Sequence, residues 1–523
     1  MDPRERPNAG GDRGALSRRA ALAGAAAFGA ARALGAAASA PAPAAEAPRK
    51  GGVLRLAMAG GGTADSLDPG DALDSVMTVV ARGLYDGLVE LAPDGRPAPA
   101  LASAWEARPG AAVWAFTLRK GVRFSGGREY SADDAVYSLN LRRADGPAGA
   151  LRAVRDVRKI DRHQIEITLA GPDADFPCIL TDHRLPMVPD GFADWTKPVG
   201  TGAFVLEQFD PGVRVALKRA GEYWNDARGH LDGAEITVIG EWSTRLDALL
   251  SGQADVVNRV DPRAAGLLAK TAHAELVRSP GGWHAALAMA VDRPPFDNPD
   301  LRLALKYAID REPIVKALFN GYGAIGNDHP IPAGDPFFNK DLPQRRRDPD
   351  RAAYHLKRAG IDPGIVLQAS DAAFPGAVDV ALLFQASASR AGVKIDVRKE
   401  PVDGFWSRVW LKGAFVESCW AGRAGATHML ADVYRAGAPL NETRWSDDRF
   451  ESLLAGAVAE TDEARRRTAI WEMQALLHDD GGAIIPVFRD WLDAHHDSVG
   501  GLTPHGGFEL DNGAVLAKAF LKA

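Results

Sequence analysis

The stretch CWAGRAGATHML (419–430) sets Arg423 three residues after Trp420 among small and apolar neighbours, with no acidic residue beside it. A guanidinium is a planar fork of N–H donors that keeps its charge. Its natural partners are carboxylates and phosphates, gripped through two parallel bonds. Twelve Trp is a high count for 523 residues, and indoles line clefts that stack a ligand as well as filling cores. Trp420, Trp406 and Trp283 are the candidate cleft aromatics, and the Gly281-Gly282 pair ahead of Trp283 would let backbone approach a ligand closely. Thr63, after three glycines, offers a hydroxyl or an amide. His329 in GNDHPIP (326–332) and Tyr434 complete the candidates for a binding site.

Catalytic constellations are missing. The sequence holds no Gly-x-Ser-x-Gly elbow, no Walker loop and no His-Glu-x-x-His, and AGGGTAD (59–65) lacks the dinucleotide spacing. Asp133-Asp134 has the look of a carboxylate pair, but its place at a helix start explains it without catalysis. His495 and His496 are adjacent, so they cannot share one face of a strand, and they are read as surface histidines rather than metal ligands. The only two cysteines, Cys178 and Cys419, rule out a Cys-based zinc site and leave two thiols or one long-range disulfide. No enzyme activity, metal or cofactor is expected.

The elements that must position these residues are strands and helices mixed without strict alternation. VLRLAM (53–58) alternates as a strand, and so does HQIEITL (163–169). TGAFVLEQFDPGVRVALKR (201–219) reads as two strands joined by a Pro-Gly turn. Residues 301–319 form a long amphipathic helix, or two helices joined at Pro313. Residues 447–488 form two helices and a short strand. Ser131 caps a helix whose first turn holds Asp133 and Asp134. Such a pattern predicts an α/β protein with more than one sheet. Hydrophobic residues make up 46% of the chain, enough for two to four domains.

The N-terminus carries Arg18-Arg19, a weakly apolar run over 20–31 and small residues to Ala40, followed by a Pro/Ala linker. This is similar to a twin-arginine export signal, and residues 1–47 are assigned to signal and linker. No Cys follows the run, so a lipoprotein anchor is not expected. The formal net charge of −6, without a basic block, excludes an electrostatic footprint for nucleic acid. No later stretch is long and apolar enough to span a bilayer.

Several separated blocks carry a resemblance from about residue 51 to the C-terminus. They are SLDPG (66–70), GLYDGLVELAPDGRPAPALASAWE (83–106), FTLRKGVRFSGGREYSADDAVYSL (116–139), PVGTGAFVLEQFDPGVRVALKRAGEYW (198–224), LLSGQADVV (249–257) and PPFDNPDLRLALKYAIDREPIV (294–315). In this order they resemble the extracellular solute-binding proteins of family 5, the peptide/nickel class that feeds ABC importers. The resemblance implies a bilobed periplasmic-binding-protein clamp of type II, cluster C-like, with an inserted subdomain in the first lobe. Carried onto this chain, residues 50–81, 198–285 and 488–523 make the first lobe, 82–197 the insertion and 286–487 the second lobe. It further implies a periplasmic monomer that takes a small or peptide-like solute into the cleft and docks on an inner-membrane permease. A nickel or metal-chelate carrier on the same fold is the alternative; a secreted enzyme is a weaker one.

Peptide-binding members of that family carry an Asp soon after a second-lobe Trp, where it pairs with the peptide amino group. Here Arg423 stands at that position and Ala426-Thr427 replaces the following Asp-Pro. The sign of the charge is reversed. The expected ligand therefore carries an anionic group near Arg423, as in acidic or capped peptides, glutathione-like compounds and opine or sugar-acid conjugates.

Overall fold

A computed structural model describes residues 48–144, 149–268, 270–360 and 364–522; the export segment expected in residues 1–47 lies outside them. The strand Val53–Met58 behaves as its alternation requires. Leu54, Leu56 and Met58 are buried, and Val53 and Arg55 face outward. It belongs to a twelve-stranded mixed sheet. From one edge the order is Ile395–Lys399, Ile365–Ala369, Phe415–Trp420, Ala274–Met289, Val487–His496, Val256–Val257, Val53–Met58, Gly233–Val238, Arg214–Arg219 and Phe204–Asp210. Gly323–Ile325 and Ala483–Ile484 pair with the two central strands.

Those central strands, Ala274–Met289 and Val487–His496, are antiparallel and run from one hydrophobic core into another. At one end Leu276 and Ala494 pack with Leu249, Val257 and Leu268. At the other, Ala285, Leu287 and Met289 join a core completed by Leu301, Leu305 and Phe384. The register slips between Pro280 and His284. Gly281, Gly282 and Trp283 thus leave the regular ladder where the pair passes between the cores, as in a bulge that re-aims a side chain.

A separate four-stranded antiparallel sheet is made by Ala102–Ala107, Val113–Leu118, Gln164–Leu169 and Val154–Asp161. With the helix Ala132–Arg143 it encloses its own core around Phe116, Tyr130, Ile165 and Phe176. At that helix start Asp134 accepts hydrogen bonds from Ser131 N at 2.8 Å and Ser131 Oγ at 3.1 Å, while Asp133 pairs with Lys159 at 2.8 Å. The Ser131 hydroxyl thus donates to a side chain. Both acids are spent on structure.

Two sequence expectations need correction. The helix over 301–319 is two helices, Pro299–Ala308 and Arg311–Phe319, but the break falls at Ile309-Asp310. Pro313 sits in the first turn of the second helix, where its missing N–H costs nothing. His495 is buried at 5% exposure, with its Nδ1 2.8 Å from the His496 carbonyl, so it is no surface histidine.

Candidate binding site

A cavity of about 620 Å³ lies beside the bulge in the central strands. One wall comes from the helices Ser75–Leu84 and Phe176–Ile179, which present Thr78, Arg82, Cys178 and Ile179. The opposite wall is the stretch 421–425 and the helix Ala426–Val433, which presents His428, Met429 and Asp432. Trp283, Trp491 and Phe508 supply the aromatic surface. Trp491 and Phe508 pack with ring centroids 5.3 Å apart, and Trp283 stands edge-on to Phe374 at 5.4 Å.

Four arginines, Arg82, Arg152, Arg184 and Arg423, line the cavity against three aspartates, Asp182, Asp335 and Asp432. Arg184 is held by Asp182 at 2.6 Å. Asp432 serves two cations, Arg152 at 3.1 Å and Arg423 at 3.6 Å, so this cluster keeps a surplus of positive charge. Arg82 donates to the Thr181 carbonyl at 3.0 Å, and its Nε is enclosed without a partner. Burial pushes the Asp335 carboxyl up to about 6, so near neutrality it is a weakened acid.

The residues singled out from sequence divide. Arg423 and Trp283 line the cavity; Arg423 also donates to the Ala421 carbonyl at 3.2 Å. Trp420 is 8% exposed and turned inward, where its indole N–H donates to Glu442 at 3.0 Å. The same carboxylate accepts from Trp410 at 2.7 Å and Ser418 at 2.9 Å. Trp406 is on the surface against Trp410. Thr63 lies in an exposed turn covered by the Pro-Gly hairpin, whose Gly212 has no room for a Cβ against Thr63 N at 2.7 Å. His329 is buried with both ring nitrogens unpartnered, and burial brings it down to about 3, so it stays neutral. Tyr434 is buried in the core with Trp445 and Phe450. None of these five lines the cavity. Cys178 and Cys419 are unbonded.

Residues that were not singled out do much of the lining. Arg82, Arg152, Asp182 and Trp491 stand far apart in sequence, and the only local signal is that Arg489 and Trp491 share one face of a strand as residues i and i+2.

Beside the cavity the small-sheet body is bonded to the helices opposite. Asp175, 3% exposed, pairs with Arg466 and accepts from Thr427 N at 3.1 Å and Thr427 Oγ1 at 2.5 Å. Burial pushes its carboxyl up, but Arg466, His428 and the Thr427 bond together outweigh this and hold it below the usual range. Asp173 meets His428 Nε2 at 3.0 Å, and Ala174 N donates to the Val458 carbonyl at 2.8 Å. Burial opposes the charge on His428, but Asp173 more than compensates and raises its pKa. Among the described residues no group of three or more His, Cys, Asp or Glu could hold a metal ion, and no helix is long and apolar enough to cross a membrane.

Separate α/β cores joined by two crossing strands, with a ligand-sized cavity beside the crossing, define a hinged clamp for a small solute. Residues 96–434 match the family described as "Bacterial extracellular solute-binding proteins, family 5 Middle", and the chain belongs to that family. It is a solute-binding protein of the peptide/nickel class that serves ABC importers. The glutathione-binding protein GsiB of Salmonella typhimurium (strain LT2) is 28% identical over 483 residues, which cover 87% of this chain and 94% of that protein. The fold is similar to HbpA2 from Haemophilus parasuis, with a TM-score of 0.81 and 23% identity, covering 90% of this chain and 100% of that one. It is also similar to the periplasmic binding protein DppA from Helicobacter pylori, solved with the peptide STSA, with a TM-score of 0.71 and 24% identity over 91% and 99% of the two chains.

Proposed function

We propose that this protein captures a peptide-like or other small solute carrying an anionic group, and that the solute seats in the cavity near Arg423. The observation that carries the reading is the cavity's charge: four arginines against three aspartates, one of which, Asp335, gains its charge only as pH passes about 6. A glutathione-like compound fits this reading, in keeping with the similarity to the glutathione-binding protein GsiB. In this reading residues 50–81, 198–285 and 488–523 make one lobe and 286–487 the other, with 82–197 inserted in the first. A solute that touches both walls binds the closed form better than the open one, which is what drives closure. The protein acts without turnover and as a monomer. It reaches the periplasm by the twin-arginine route without a lipid anchor, and the closed form docks on a membrane permease.

Thermal unfolding of the protein with glutathione, acidic and capped peptides and opine or sugar-acid conjugates tests the reading. At least one anionic compound is expected to raise Tm in a saturable manner and to be recovered unchanged. Arg423→Ala is expected to weaken that shift. A panel in which only cationic or neutral solutes stabilise the protein would overturn the anionic reading.

A further inference from the structure

The cations near the cavity differ in how far their hydrogen-bonding capacity is already spent. Arg184 and Arg152 hold Asp182 and Asp432, and Arg423 shares Asp432 and donates to its own chain. Arg489 stands apart. Its guanidinium carbon lies over the Trp283 ring at 5.0 Å and over the Trp491 ring at 4.7 Å. Among the described residues its guanidinium makes no hydrogen bond and no ion pair. None of its nitrogens is among the enclosed, unpartnered polar atoms, so its donors still reach solvent space. Both flanking rings line the cavity, and Arg489 stands behind them, outside the lining itself.

We propose that Arg489 is the principal anchor for the solute's anionic group, receiving a carboxylate from between the Trp283 and Trp491 rings. This inference rests on the solute-binding reading above. Two indoles pack against the guanidinium by cation–π attraction. The N–H groups radiate in the plane of the fork, so the edge left open is the edge that binds a carboxylate through two bonds. The carboxylate whose charge acts on it, Glu509, is already engaged by Ser75, Asn258 and Arg259. Burial disfavours the Arg489 charge, and an incoming carboxylate relieves that cost. The backbone makes the arrangement possible. A Cβ on Gly281 would fall 2.6 Å from the Arg489 carbonyl oxygen and 3.0 Å from Trp491 Nε1, so only glycine lets the strands close on this stack. The rings suit a solute whose carboxylate is followed by an aliphatic or flat portion.

The test uses the full folded protein and reduced glutathione as the probe, with its diethyl ester as the uncharged counterpart. Binding is followed by calorimetry and by tryptophan fluorescence. The wild type is expected to bind glutathione with a change in indole emission and to bind the ester far more weakly. Arg489→Ala is expected to weaken glutathione binding by roughly 100-fold, more than Arg423→Ala does, and to remove the preference for acid over ester. Arg489→Lys is expected to retain that preference in part and carries the test if the alanine variant does not fold. If Arg489→Ala binds glutathione within twofold of wild type, or loses less than Arg423→Ala, the assignment of Arg489 falls and the solute-binding reading stands. If the wild type binds neutral peptides and no carboxylate, the anchor falls together with the anionic part of that reading.

Discussion

Replacing Asp175 with Asn takes the charge from a carboxylate that bridges two bodies of the protein. In the structure this side chain is 3% exposed, pairs with Arg466 and accepts two hydrogen bonds from Thr427. Asn keeps an oxygen for Thr427 but leaves Arg466 buried without an anion. Breaking one partner of a buried pair costs about 3–5 kcal/mol. In an opened clamp both groups would be hydrated, so the substitution would be nearly neutral there. The whole cost then falls on the closed form and shifts closure by on the order of 10²–10⁴-fold. Ligand-free Asp175→Asn is expected to show a larger radius of gyration in small-angle scattering than wild type. Its apparent Kd for any bound solute rises as the closure-competent fraction falls. Thr427→Val, which removes only the hydroxyl bond, is expected to give a shift of about 1 kcal/mol in the same direction. The latch also has a pH window. The Asp175 carboxyl is held below its usual 3.8, so its contribution is present above that value and lost on acidification through the lowered one. His428 is raised above its usual 6.5, so its contribution is complete below 6.5 and lost as pH climbs through the raised value. Closure is therefore strongest between those limits. Scattering curves of wild type and Asp175→Asn that superpose, with equal Kd values, would refute the reasoning.

Glu417 is fully buried, neither carboxylate oxygen has a partner, and burial holds its pKa well above the usual 4.5. Burial holds the proton on as pH climbs past the usual 4.5, a penalty absent at pH 4 that grows as pH rises, so denaturant titrations of Glu417→Gln are expected to show a flatter fall in stability from pH 5 to 8. Asp335 gains its charge as pH passes about 6, so affinity for an anionic solute is expected to weaken between pH 5 and 7, and calorimetry on Asp335→Asn should show that step removed. Gly281→Ala forces a Cβ to within 2.6 Å of backbone oxygen, and a Tm lowered by several degrees together with weakened solute binding is expected; an unchanged Tm would show that the bulge relaxes freely.

Much of the fold was legible along the chain because it is written in local periodicities. The alternation of Val53–Met58, the hairpin of Phe204–Asp210 and Arg214–Arg219, and the helix Trp242–Leu250 stopped near Gly252 follow from spacing and turn residues alone. The family blocks were legible for the same reason, being short strings of fixed order. Arg423 and Trp283, marked in the sequence by a charge with no acidic neighbour and by a Gly-Gly-Trp run, line the cavity. What spacing could not supply is the side of the sheet on which a given face meets solvent. Trp420 looks like a cleft aromatic until Glu442, 22 residues on, folds back to take its N–H. Arg489 looks like one more charge in VFRDWLDAHH until a strand some two hundred residues earlier in the chain brings Trp283 against it. Local sequence determined which residues share a face; the pairing of Ala274–Met289 with Val487–His496, set by cores buried at both ends, decided which face came to lie beside the cavity.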